Sequence, residues 1–101
     1  MRTKYSHEQI IKTKSIARII GDTSNVLILY ELMNFGEKSF NELKRMTDIN
    51  AVTLSKKLML LKAQGLVDCR KCGIENHYFV TEKSEDFRPL IRDIESLVIN
   101  V

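Results

Sequence analysis

The stretch from Ser39 to Leu66, SFNELKRMTDINAVTLSKKLMLLKAQGL, constrains the chain most, because it specifies two short helices and the turn between them. Ser39 and Glu42 have capping-box spacing, in which hydroxyl and carboxylate each satisfy an orphan backbone N–H. The first helix is expected over about Phe40 to Met46, with Phe40, Leu43 and Met46 inward. Thr47-Asp48-Ile49-Asn50 interrupts it, since Thr, Asp and Asn side chains compete for backbone groups. Asn50 then reads as the N-cap of a second helix, Ala51 to Gln64. Leu54, Leu58 and Leu61 fall at i, i+4 and i+7 and form its inward stripe. Gly65 stands where a left-handed C′ residue is wanted.

Helix, short turn, helix is the layout in which the second helix lies in a DNA major groove. Opposite the leucines the wheel carries Val52, Thr53 and Lys56, with Asn50 and Lys57 on the flank. A short polar and basic surface at the start of a helix suits contact with bases and phosphates. The same surface also fits an ordinary solvated helix. Met59 and Leu60 lie off the stripe and call for packing on a hairpin or a partner chain.

Charge distribution favours the groove reading over the solvated one. The net charge is only +3, but residues 37–71 carry eight basic and four acidic side chains, whereas residues 82–99 carry three and five. Basic charge gathers around the two helices and the segment directly after them, as a nucleic-acid footprint requires. At 101 residues one domain, 1–101, is expected. No apolar run is long enough for a membrane span. The start MRTKYSHEQI lacks a signal-peptide core, so a cytoplasmic, nucleoid-associated protein is expected.

Upstream, Ser6 and Gln9 predict a capped N-terminal helix from His7 to Ile20, inside a terminal segment 1–21. Thr23 or Ser24 is expected to cap a central apolar helix, Asn25 to Phe35, stopped by Gly36; 37–39 leaves room for a minimal strand. Downstream, Leu66–Arg70 and Asn76–Val80 read as strands joined through residues 71–75, a wing over 66–80 with Arg70 and Lys71 near its tip. The rest, 81–101, reads as one helix with Pro89 early in it. The fold class is thus mainly α with a small β-hairpin (α+β), a winged helix-turn-helix with extra terminal helices. Those helices hold more apolar surface than so small a core needs. A second copy of the chain would bury Ile10, Ile11, Phe87, Leu90, Ile91, Ile94, Leu97 and Val98.

Residues 27–67 and 78–97, the latter YFVTEKSEDFRPLIRDIESL, resemble the HxlR type of winged-helix transcriptional regulators, within the broader MarR and ArsR set. The resemblance rests on the apolar helix, the FNEL helix, a recognition helix ending in GLV, and the terminal helix with Pro89. It implies a homodimeric DNA-binding protein whose terminal helices form the dimer. Three features depart from that pattern: Asp22-Thr23-Ser24 replaces the usual Lys-Trp pair, residues 1–20 hold no sensing cysteine, and the wing, Asp68 to His77, is short.

Cys69 and Cys72 form a CxxC without a second pair, so a zinc site of four ligands is not expected, although His77 could add a third donor. Two inert thiols, or a disulfide making the wing redox-responsive, remain open readings. No phosphate loop, paired catalytic acids or nucleophile–base arrangement occurs, so neither enzyme nor cofactor is expected. No polar cluster marks an effector site. The preferred function is a double-stranded-DNA-binding regulator of transcription, with Asn50, Thr53, Lys56 and Lys57 at bases and phosphates and Lys38, Ser39, Lys44, Arg45, Arg70 and Lys71 on the backbone. The alternatives are a winged-helix protein-interaction module, suited by Val52, Met59 and Leu60, and a sequence-neutral chromatin protein.

Overall fold

The computed structural model describes residues 4–99, and of Val98 and Ile99 the backbone alone. Helices α1 (His7–Ile20), α2 (Thr23–Phe35), α3 (Phe40–Thr47) and α4 (Ala51–Ala63) precede strands β2 (Val67–Cys72) and β3 (Glu75–Val80); a two-residue strand β1 (Lys38–Ser39) lies between α2 and α3. A 3-10 segment (Glu82–Phe87) leads into α5 (Arg88–Ile99). The winged helix-turn-helix read from the sequence is therefore the fold.

Local signals act where their chemistry puts them. Ser6 and Ser39 both cap through complete boxes, with Gln9 and Glu42 as the reciprocal partners. Helix α2 starts two residues earlier than expected, because Asp22, rather than Thr23 or Ser24, is its cap; the carboxylate accepts from the N–H groups of both Ser24 and Asn25. Helix α3 ends at Asp48, which holds a left-handed φ of 58° and donates its N–H to Lys44 O at 3.0 Å. An Asp tolerates that conformation because its short polar side chain makes local bonds. Ile49, buried, then pins the turn to the core, and Asn50 Oδ1 accepts from Thr53 N–H at 2.9 Å to start α4. Gly65, at φ +76°, turns the chain out of α4.

The core lies between α2 and the inward faces of α3, α4 and α5. Ile28 and Leu29 from α2 and Leu43 from α3 are buried, as are Leu54, Leu58 and Leu61, so the leucine stripe of α4 is its inward face. Each such side chain contributes roughly 1.5–3 kcal/mol of burial. Met46 departs from expectation: it is exposed, on the outer side of α3.

The sheet order is β1-β3-β2, all antiparallel, with Lys38 opposite Tyr78 and Ser39 opposite His77. The wing strands are longer than expected and the turn shorter. Cys72 pairs with Glu75, leaving Gly73 and Ile74 as a two-residue turn in which glycine alone has positive φ. That is the type II′ geometry, whose twist matches the flanking strands. The terminal element is split where one helix was expected. A 3-10 segment fixed by Ser84 Oγ donating to Thr81 O comes first, and Pro89 then sits in the first turn of α5, where its missing N–H costs nothing.

The radius of gyration is 14.9 Å, against about 13 Å for a compact domain of this length. Helix α1 is the least embedded of the first four helices in one respect: of its fourteen residues Ile19 is the one that is buried. No helix among the described residues is long and apolar enough to cross a membrane.

Candidate nucleic-acid interface

Helices α3 and α4 expose several of the residues singled out from the sequence. Lys44 and Arg45 on α3 and Asn50 and Lys56 on α4 are exposed, and Thr53 is half-buried. Val52 is 66 % exposed and Met59 70 %, so the apolar residues off the leucine stripe do face solvent; Leu60 is half-buried. Between α3, α4 and the wing runs a cleft of about 330 Å³. Asn41, Ser55 and Asn76 line it alongside Tyr78, polar side chains that periodicity alone did not mark. Their signal was weak because the cleft exists only once the hairpin folds back beside α4.

Four of the expected contact residues are engaged inside the chain. Lys57 Nζ lies 2.7 Å from Asp22 Oδ2, joining α4 to the cap of α2. This bond is the main cause of the Asp22 carboxyl being held below the usual carboxylate range. Ser39 is buried and spent on the α3 cap. Lys38 Nζ donates to Phe35 O at 2.6 Å. Arg70 makes a forked pair with Glu37, Nε to Oε1 at 2.9 Å and Nη2 to Oε2 at 2.8 Å, and this guanidinium is the main reason the Glu37 carboxyl also sits low. Lys71 stays exposed on the wing. The apex of the wing is not basic: Ile74, 97 % exposed, occupies it.

The two faces of the wing carry different chemistry. Strand pairing puts Cys69 with Tyr78 on one face, turned to α4, where Lys62 Nζ stands 3.4 Å from Cys69 Sγ. Arg70, Cys72, Glu75 and His77 share the other. The two thiols are free. They stand three residues apart on one strand, roughly 10 Å along it and on opposite faces. A disulfide needs Cα atoms about 4.4–6.8 Å apart, so a Cys69–Cys72 bridge, one of the two open readings, does not fit this strand. Cys72 instead meets His77 and Glu37, with one donor atom of each within 4.8 Å of the others. Sequence reading weighed His77 but missed Glu37, whose partners lie more than thirty residues on.

The residues expected to bury against a second copy divide in two. Phe87 and Ile91 are buried in the core of their own chain, at 8 % and 2 % exposure. They are corrected from interface to core, because both side chains pack into the chain's own hydrophobic cluster. Ile11, Leu90 and Leu97 are exposed, Ile10 and Ile94 are half-buried, and the Val98 side chain lies outside the described residues.

The family described as HxlR-like helix-turn-helix matches residues 19–100. No curated protein sequence matches the chain. Among solved structures the chain is similar to the redox regulator HypR in its oxidized form, with a TM-score of 0.81 and 21% identity over 89% of this chain and 96% of that one. It is similar to the AntR antimony-specific transcriptional repressor, with a TM-score of 0.80 and 13% identity over 98% and 87% of the two chains. Diamide-treated YodB from B. subtilis gives 0.72 and 20% over 97% and 96%. At such identities the likeness is one of fold.

Proposed function

Because the chain belongs to the HxlR-like helix-turn-helix family, we propose that it is a homodimeric, sequence-specific regulator of transcription that binds double-stranded DNA and acts as a repressor in the cytoplasm. The observation that supports this reading is exposure: Asn50, the cap of α4, and Lys56 on α4 are exposed, as are the cations Lys44 and Arg45 of α3. Cations bring the protein to the phosphates without reading sequence, and the polar residues at the start of α4 read base edges. Asn50, Thr53 and Lys56 form the reading set, and Lys44, Arg45 and Lys71 the phosphate set. Lys57, Arg70, Lys38 and Ser39 act indirectly, by fixing the helices and the wing. No catalytic role enters this reading.

The exposed apolar residues of α1 and α5, Ile11, Leu90 and Leu97, support a second copy as partner. A two-fold dimer repeats the reading helix at one turn of DNA, about 34 Å. Titration against a random-sequence duplex pool at two salt concentrations, with sequencing of the bound fraction, tests the reading. The expected result is an enriched short palindrome and affinity that falls steeply with salt. Salt-dependent binding without enrichment would replace it by a sequence-neutral chromatin protein. Absence of binding at low salt would replace it by a protein-interaction module, for which the exposed Val52 and Met59 are the specific observation.

A further inference from the structure

We propose that Glu37, Cys72 and His77 form a binding site for a borderline divalent transition-metal ion of the zinc(II) class. The three side chains come from separate segments: Glu37 just before β1, Cys72 at the end of β2, His77 within β3. The β1-β3-β2 sheet collects them on one face, where all three are half-buried. Their donor atoms lie within 4.8 Å of one another. A tetrahedral ion with bonds of about 2.0–2.3 Å spaces its donors roughly 3.5 Å apart. The trio therefore closes by about an ångström, a displacement within side-chain rotation.

The donor set selects the ion. Magnesium and calcium take oxygen ligands throughout, and a single thiolate does not make the sulfur-rich site of copper(I). One thiolate, one imidazole and one carboxylate suit zinc or cobalt(II), three protein ligands leaving a fourth position open. The imidazole also carries the support that ligating histidines have. Nδ1 stands 3.6 Å from Glu37 Oε2, and Nε2 stands 3.4 Å from Oε2 of a second carboxylate, Glu75. With Nδ1 on the ion, Nε2–H donates to Glu75, which fixes ring and tautomer. On binding, the Cys72 thiol releases its proton to solvent and the ion takes over from Arg70 on one oxygen of Glu37. Cys69, on the opposite face, takes no part.

The test titrates the reduced full-length chain with cobalt(II) alone and reads its visible spectrum, without DNA, so that the outcome stands apart from the regulator reading. The expected result is one ion per chain with tetrahedral ligand-field bands and a thiolate-to-cobalt charge-transfer band, both bleached by zinc(II). Cys69→Ser keeps the band and Cys72→Ser loses it. His77→Ala and Glu37→Gln weaken binding at least tenfold, and Glu75→Gln about 10–100-fold. Thermal melts of each variant without metal show that it is folded. No charge-transfer band in the wild-type chain, a band that persists in Cys72→Ser, or one that vanishes in Cys69→Ser would overturn the site.

Discussion

Lys57 Nζ, on the helix assigned to groove reading, lies 2.7 Å from Asp22 Oδ2, while the other oxygen of the same carboxylate, Oδ1, caps α2. A cation on the flank of the reading helix is thereby a strut. Asp22→Ala removes the cap and the pair together and is expected to cost about 1–2 kcal/mol. Lys57→Met removes the pair alone, at about 0.5–1 kcal/mol. Paired chemical denaturation of the two single variants and the double variant checks this, the coupling being the non-additive part.

The same pair sets a pH dependence. Lys57 draws the Asp22 carboxyl below its ordinary value, so the unfolded chain binds its proton at higher pH than the folded one. The stabilisation is complete above the ordinary carboxylate range, near pH 4, and is lost as pH falls through the lowered folded value. The melting-temperature gap between wild type and Lys57→Met is expected to be largest at neutral pH and to shrink below about pH 4. A gap that stayed constant down to strong acid would remove Asp22 from the explanation.

Lys56 and Asn50 separate affinity from stability. Lys56→Ala is expected to weaken binding to every duplex and to lower the salt slope by about one. Asn50→Asp keeps a good N-cap, hence the melting temperature, while setting a negative charge at the DNA side of α4. Its affinity should fall severalfold with stability unchanged, as read by fluorescence anisotropy beside thermal melts.

The stripe of α5 divides by exposure. Leu97→Asp together with Ile11→Asp, at positions 69 % and 51 % exposed, should shift the chain towards monomer in sedimentation equilibrium without unfolding it. Ile91→Ala, at a position 2 % exposed, should instead cost about 2–5 kcal/mol of chain stability.

Oxidation should leave Cys69 and Cys72 unlinked within one chain. Non-reducing peptide mapping after diamide treatment checks this, and a Cys69–Cys72 cross-linked peptide would show that the wing strand opens.

What the sequence disclosed and what it hid divide by range. The capping boxes at Ser6 and Ser39, the Asn50 cap and the leucine stripe of α4 need only neighbours within two turns, and they stand where expected. Thr23 and Ser24 read as the possible caps of α2. The choice fell to Asp22, which accepts two N–H bonds and also meets Lys57. Lys71 and Cys72 read as the start of the turn. Pairing with Asn76 and Glu75 keeps them in the strand, and hairpin register is not written in either strand alone. Ile91 and Leu97 stand on the same amphipathic helix, and only its packing against the body decides which is core. Glu37 carried no local pattern, and Arg70 and His77 reach it only through the sheet.

Strand β1 is two residues long, yet its second residue, Ser39, is both a rung beside His77 and the cap of α3. The hairpin and the two short helices consequently share a hinge pin. A tilt of one is transmitted to the other, and neither can be transplanted as a cassette unless residues 37–39 travel with it. Assembly inherits the same dependence: the rung closes a loop of nearly forty residues, so this joint is expected to lock after the helices it connects have formed.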